Sequence, residues 1–414
     1  MRRANTTLKQ ISLLLLCTII ALANWASLSN AQSAQKPKAT SASAALPNIP
    51  YITIDTNTGL VLNENRSFDR WHPASLTKLM TAYVTFKAIQ NNEIQIGSPV
   101  TMSKLAAKMP PSKMGYKAGS KLRVDTAITI LVVKSANDVA VALAESVAGS
   151  LPNFANRMND HAKTLGMQDS NFKNPHGLHD KNQYVSARDM LILSNAIWTE
   201  FPQYRKLFGT PAISTTKKTY YSYNLLLERF AGAMGMKTGF VCASGYNIVA
   251  SAERDGRRLV SVVFGANSQT QRAVTAAKLL SAGFQQTSGT PLENFSRPSN
   301  VKPPKNMRPI LCTQEALKNT YNPNANNAVI KSAFLEPRKI TQKPIPVRLG
   351  GVNAPPSDAW LARAFQPSFV PVPQERPNYV LVDIDGEPLS SGALIRGTTK
   401  VPTFRPTSAN TIAN

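Results

Sequence analysis

HPASLTKLMTAYV, residues 72–84, sets a serine and a lysine three positions apart at the head of a periodic apolar run. Leu76, Leu79, Met80, Tyr83 and Val84 recur at the 3.6-residue period, which predicts a helix with one broad buried face. At that spacing Ser75 and Lys78 share a side of the helix, near its N-terminus, where unpaired N–H groups favour developing negative charge. Two readings follow. The pair is a solvated helix edge, or it is a nucleophile with its base. A lysine serves as base only where burial or a nearby cation lowers its pKa. Taken alone, Ser-x-x-Lys does not choose between the two.

The surrounding pattern supplies a fold class. Upstream, PYITIDTNTGLVLNEN (50–65) has two short apolar runs around Asn57-Thr58-Gly59, a hairpin signal. Downstream, TAITILVVKSANDVAVALAESVAG (126–149) is apolar except at its centre, which predicts two buried helices broken by a short polar turn, with Asp138 capping the second. SARDMLILSNAI (186–197) is helical in period, and 232–266 gives β-rich runs around the Asp255-Gly256 turn. QRAVTAAKLLSAGF (271–284) reads as a closing helix. Strands, many helices, strands, helix: the order predicts an α+β fold in the α/β class, an antiparallel sheet flanked by helices with a helical insertion.

At the N-terminus, Arg2, Arg3 and Lys9 precede ISLLLLCTIIALA, and Ser29-Asn30-Ala31 offers small residues for cleavage. Residues 1–31 are expected to be a secretory signal, with an uncleaved anchor as the alternative. Residues 32–48 have the small, polar composition of a flexible linker. A catalytic domain is expected over 49–286. Beyond it 18 of the 29 prolines accumulate, apolar period is nearly lost apart from YVLVDIDGEPL, and 287–414 is expected to be largely disordered. The chain carries a net charge of +24, which suits polyanionic surroundings. No nucleic-acid-binding signature accompanies that charge, and export points to an anionic cell envelope instead. Outside the expected signal only Cys242 and Cys312 remain, too few for a disulfide scaffold; one bridge and two free thiols both stay open. No His/Cys/Asp/Glu cluster has metal-ligand spacing and no phosphate loop occurs, so neither metal nor cofactor is expected.

Two further motifs bear on Ser75 and Lys78. Ser135-Ala136-Asn137 interrupts the most apolar stretch, where polar groups require something to face. Lys237-Thr238-Gly239 opens the strand region with a cation, a hydroxyl and a residue that lets another backbone approach. Three such motifs in this order form the pattern of penicillin-binding proteins and class A β-lactamases. PASLTKLMTAYV, KSANDVAVALAE, NPHGL, YVSARDM, MKTGF and SGYNIVAS all stand where the D-alanyl-D-alanine carboxypeptidases have closely similar texts. Residues 46–285 thus resemble that family of low-molecular-mass penicillin-binding proteins.

The resemblance implies a β-lactamase/transpeptidase-like fold and a serine-type hydrolase of peptidoglycan stem peptides, with β-lactams as inhibitors. It implies Ser75 as nucleophile and Lys78 as its base. Ser135 and Asn137 would relay a proton to the leaving group and hold the substrate amide. Lys237 would lower the pKa of Lys78 and, with Thr238, attract the substrate carboxylate. Gly239 would admit the substrate backbone, the N–H groups of Ser75 and Phe240 would form the oxyanion hole, and Arg272 would face the terminal carboxylate. His176 and His72 are read as structural. A D,D-endopeptidase shares all this chemistry and is the alternative. A class A β-lactamase commonly needs a glutamate between the second and third motifs, and none occurs from Ser146 to Thr199. A wall-binding protein without catalysis is at odds with the intact motifs. The terminal VPTFRPTSANTIAN lacks an amphipathic-helix pattern, so the expectation is a soluble periplasmic protein, with peripheral envelope association through an uncleaved signal kept open.

Overall fold

Two hairpin signals far apart in the chain become the frame of one sheet. In the computed structural model, which describes residues 46–314, 330, 332–340 and 342–352, the first hairpin is β1 (Tyr51–Asp55) and β2 (Leu60–Asn65). A 3₁₀ turn, Ala74–Leu76, leads into α1 (Thr77–Gln90). The helical insertion then carries β3 (Pro99–Thr101), α2 (Lys104–Lys108), β4 (Lys121–Arg123), α3 (Val124–Val133), α4 (Asn137–Ala148), α5 (Leu151–Thr164), α6 (Ala187–Glu200) and α7 (Arg205–Phe208). Two short strands, β5 (Ala212–Ser214) and β6 (Thr219–Tyr221), precede the meander β7 (Ala233–Val241), β8 (Gly245–Arg254) and β9 (Arg257–Ala266). Helix α8 (Gln269–Gln285) closes the unit.

The sheet runs β10-β2-β1-β9-β8-β7, where β10 is Thr290–Pro291, and all its pairings are antiparallel. Strand β1 pairs with β9 through Tyr51↔Val263 and Asp55↔Leu259, which joins the two ends of the unit and leaves residues 66–232 as an insertion. Asp55, Asp255 and Gly256 behave as hairpin chemistry requires: Asp55 accepts from the Asn57 N–H, and Asp255 and Gly256 take φ of 50° and 74°. Alternate residues face opposite layers. Arg258 lies under Trp198 of α6, while Leu259 is beside Gly283 of α8, so one helix covers each face.

Helix α1 departs from the expectation of a single buried face. Thr77, Lys78, Thr81 and Thr85 are buried along with the apolar residues, because α4, α5 and α6 surround the helix. Its hydroxyls bond locally or to a neighbouring loop, as with Thr81 Oγ1 donating to Pro175 O at 2.6 Å. The two predicted helices of 126–149 form, but Asp138 does not cap the second. Ala136 is the N-cap residue; Asp138, in the first turn, accepts from the Val139 N–H at 2.9 Å and also from the N–H groups of Met114 and Gly115, fastening the loop before β4.

The expectation for 287–414 is corrected where that region is described. Strand β10 extends the sheet on β2, Arg297 grips buried Asp169 through two hydrogen bonds, and α9 (Arg308–Leu311) seats Met307 and Leu311 in the core. Cys242 and Cys312 are bonded to each other. Farther on, Arg338 pairs with Glu228 at 2.7 Å, and β11 (Ile345–Pro346) lies parallel to β5. Proline-rich chain docks here through single anchors and free strand edges, contacts that leave no periodic signal in sequence. Residues 1–45, with the expected signal and most of the linker, and 353–414, with YVLVDIDGEPL, lie outside the described residues. Among the described residues, no helix is long and apolar enough to cross a membrane.

Candidate active site

Three elements converge beside the 3₁₀ turn at the head of α1. Ser75 sits in that turn and Lys78 in the first turn of α1. Ser135 and Asn137 occupy the break between α3 and α4, and Lys237 to Phe240 lie on β7, the edge strand of the sheet. With Arg272 from the first turn of α8, these residues meet at one cavity of ≈ 470 Å³, lined among others by Ser75, Ser135, Asn137, Thr238, Gly239, Phe240 and Arg272.

Lys78 is 1% exposed, which excludes the solvated-edge reading. Its Nζ lies 3.0 Å from Ser75 Oγ, 2.8 Å from Asn137 Oδ1 and 2.6 Å from the His176 carbonyl oxygen. Burial holds its pKa well below the lysine range, Lys237 pushes it further down, and Asp138 opposes only in part. A neutral amine has two N–H groups and one lone pair. In its neutral form, with Asn137 Oδ1 and His176 O accepting the two N–H groups, Lys78 would turn its lone pair to the Ser75 hydroxyl. The Asn137 amide cannot turn over to spoil this, since its Nδ2 donates to Pro110 O at 3.0 Å.

Lys237 is the second buried amine. It donates to Ser135 Oγ at 2.9 Å and to the Thr238 carbonyl at 2.8 Å; burial, then Arg272, lowers its pKa to about 7. Ser135 is held at φ 61°, a left-handed conformation that costs a serine about 1–3 kcal/mol and aims its hydroxyl at Lys237. The Thr238 carbonyl accepts from Lys237 Nζ, and at the two-residue period of a strand the Phe240 N–H lies on the same edge of β7 as that carbonyl. Gly239 abuts the nucleophile turn: a Cβ there would stand 2.9 Å from both Pro73 O and the Ser75 nitrogen. Arg272 is buried, lies over the Tyr246 ring, and donates through Nη2 to Tyr223 O at 2.8 Å, while its Nε has no hydrogen-bond partner among the described residues. Burial lowers its pKa to about 10, so it stays cationic at neutral pH.

The site residues read from sequence are therefore all brought together. His176 was read as structural, and its ring fits that reading: Nδ1 accepts from the Leu178 N–H, and burial with the adjacent Lys78 pushes its pKa down to about 3. Its carbonyl, however, accepts from the buried Lys78 amine, a role no side-chain pattern announces. Gly177 is the accompanying signal. It takes φ 84°, and a Cβ would run into the Ala74 carbonyl in the nucleophile turn. Gly177→Ala is expected to slow acylation of Ser75 by about 10²-fold through displacement of that turn. Stopped-flow labelling of the folded variant measures it, and an unchanged rate would remove Gly177 from the site. Lys113, Lys134 and Tyr223 line the cavity as well and were not singled out in the sequence. Among the described residues no carboxylate lines it, and no group of three His, Cys, Asp or Glu side chains is placed to hold a metal ion.

The sequence model of the D-alanyl-D-alanine carboxypeptidases matches residues 31–268. The chain is 38% identical over 239 residues to D-alanyl-D-alanine carboxypeptidase DacA of Haemophilus influenzae, covering 56% of this chain and 61% of that one. Against D-alanyl-D-alanine carboxypeptidase DacF of Bacillus subtilis it is 33% identical, with 58% and 63% covered. The matched part thus spans about three-fifths of these relatives. Among solved structures, penicillin-binding protein 5 from H. influenzae superimposes with a TM-score of 0.55 at 36% identity, covering 58% of this chain and 72% of the other. Penicillin-binding protein D2 from Listeria monocytogenes, in its cefotaxime-bound form, gives 0.54 at 29% identity, covering 58% and 98%.

Proposed function

The chain belongs to the D-alanyl-D-alanine carboxypeptidase family and shares the fold of penicillin-binding proteins, and from that premise we propose that it is a serine-type carboxypeptidase removing the terminal D-alanine of peptidoglycan stem peptides. The observation that carries the reading is the Lys78 amine, stripped of solvent, with Nζ 2.8 Å from Asn137 Oδ1, 2.6 Å from the His176 carbonyl oxygen and 3.0 Å from Ser75 Oγ.

Ser75 Oγ attacks the carbonyl of the penultimate D-alanine as Lys78 takes its proton. The negative oxygen that forms is met by the N–H groups of Ser75 and Phe240, a pair of fixed donors at the head of a helix and on a strand edge. Ser135 Oγ, held by Lys237, delivers a proton to the departing D-alanine nitrogen as the C–N bond breaks and takes in its place the proton that Lys78 removed from Ser75, which leaves Lys78 neutral again, and Asn137 holds the substrate amide. Thr238, Lys237 and Arg272 receive the terminal carboxylate, which suits a cavity lined by cations and lacking carboxylates. Water then attacks the acyl-enzyme as Lys78 takes its proton, and Lys78 returns that proton to Ser75 Oγ as the ester C–O bond breaks and the shortened peptide leaves.

The same absence of a carboxylate leaves no second base beside the acyl group, so a penicillin adduct is expected to persist. The Cys242–Cys312 bond supports an oxidising compartment, in keeping with export through residues 1–31 and a periplasmic setting. Incubation with a muropeptide ending in D-Ala-D-Ala, and separately with a cross-linked dimer, tests the assignment by product mass. Free D-alanine and a stem one residue shorter are the expected products. Cleavage of the dimer alone would make the protein an endopeptidase, and turnover of penicillin at the rate of peptide would make it a β-lactamase.

A further inference from the structure

The back of the catalytic strand is bolted to the C-terminal extension. Strand β7 is paired on one side only, with β8, and its outer side is the wall of the cavity. Residues 241–245 form the turn that ends it, directly after Phe240. On the far side of that turn Cys242 is bonded to Cys312, and the Ala243 carbonyl accepts from the Met307 N–H at 3.0 Å. Met307 and Leu311 fill the space beside Gly245, where a Cβ would meet Met307 Sδ at 3.0 Å and Leu311 Cδ1 at 3.1 Å. Trp71 packs into the same cluster next to Gly265 and donates through Nε1 to the Ser244 carbonyl at 2.8 Å. Trp71 is four residues before Ser75, and Asn247 of β8 donates to the carbonyls of His72 and Pro73 between them. The Phe240 turn and the Ser75 turn therefore hang on one packed cluster, and the extension supplies its outer half.

We propose that residues 307–312, fixed by the Cys242–Cys312 bond, are a positioning element for acylation: they hold the Phe240 N–H at the correct distance from the Ser75 N–H. This rests on the reading of Ser75 as nucleophile and Phe240 as oxyanion donor. An edge strand with a free turn has one row of hydrogen bonds to fix it, and a donor displaced by a fraction of an ångström forfeits much of its effect on a developing oxyanion. The reacting carbonyl has less charge before attack than after it, so loosening the turn should slow the bond-making step and leave initial binding nearly alone.

The test uses the full chain with Cys242→Ser and Cys312→Ser together, the full chain with Met307→Ala, and the wild type treated with dithiothreitol. Each is followed by stopped-flow labelling over a range of penicillin concentrations, which separates the dissociation constant from the acylation rate constant; thermal unfolding reports that the protein is folded. In both variants and in the reduced wild type the acylation rate constant is expected to fall about tenfold, with the dissociation constant within about twofold of wild type. Rates within twofold of wild type in folded protein, or equal losses in rate and binding, would overturn the proposal. Should the double variant fail to fold, Met307→Ala with its disulfide intact and the reduced wild type decide the matter. A wild type that forms no adduct at all would instead sink the assignment of Ser75, a separate result.

Discussion

Ser75→Ala is expected to abolish the covalent penicillin adduct, with intact mass showing no shift where the wild type gains one acyl group. Among the described residues the side-chain hydroxyl has one partner, Lys78 Nζ at 3.0 Å. Removing it leaves Lys78 its contacts to Asn137 and His176, so the 3₁₀ turn and α1 should keep their places and the thermal midpoint should move little. Loss of a nucleophile of this type costs on the order of 10⁶-fold in rate, which amounts to no labelling on any practical time scale. Equal labelling of wild type and variant would mean that another residue is acylated, and the reading of the whole constellation would fall with it.

Lys78→Ala should lose acylation by about 10³- to 10⁴-fold, the range expected when a positioned general base is removed. The loss of a buried amine also leaves Asn137 Oδ1 and the His176 carbonyl without their donor, which costs about 1–3 kcal/mol per unsatisfied group. Lys78→Met fills much the same space without a basic nitrogen, and both variants should acylate slowly if basicity is what matters. Acidity provides the independent check. The folded pKa of Lys78 is depressed, so the amine is neutral above that lowered value and protonated below it. Wild-type acylation should therefore fall as pH drops through it, and the variants should lack that acid limb. Lys237 acts in the opposite sense: its charge is lost as pH rises through about 7 in the free protein, weakening capture of the substrate carboxylate, which on binding pulls that pKa back up. Retained acylation by Lys78→Met at neutral pH would count against the base assignment.

The fold was legible where residues repeat at the period of a secondary structure. The Asp255-Gly256 turn, the two helices across 126–149 and the closing helix all formed, because local sterics and a one-sided or all-round apolar pattern act within a single segment. Asp138 was misread for the opposite reason. A capping residue and a loop anchor have the same side chain, and only the arrival of Met114 and Gly115 decides which donors it meets. The extension was misread likewise: Met307 and Leu311 are two apolar residues among prolines, and their value comes from the glycine-lined hollow at 245 and 265 that other segments build.

By itself the sequence determined the identity and order of the reacting groups: a serine and lysine one helical turn apart, Ser135 and Asn137 inside an apolar run, and a Lys-Thr-Gly strand. Those are covalent facts of spacing and residue type. Only the tertiary structure decided that the Lys78 amine is buried with its pKa held down, because a lysine's pKa depends on burial and here on the field of Lys237, two residues that meet across 159 positions of chain. It also decided that the His176 carbonyl completes the amine's shell and that Cys242 pairs with Cys312. Backbone groups carry no residue-type signal, and a disulfide requires two cysteines to be brought within bonding distance, which chain folding alone achieves.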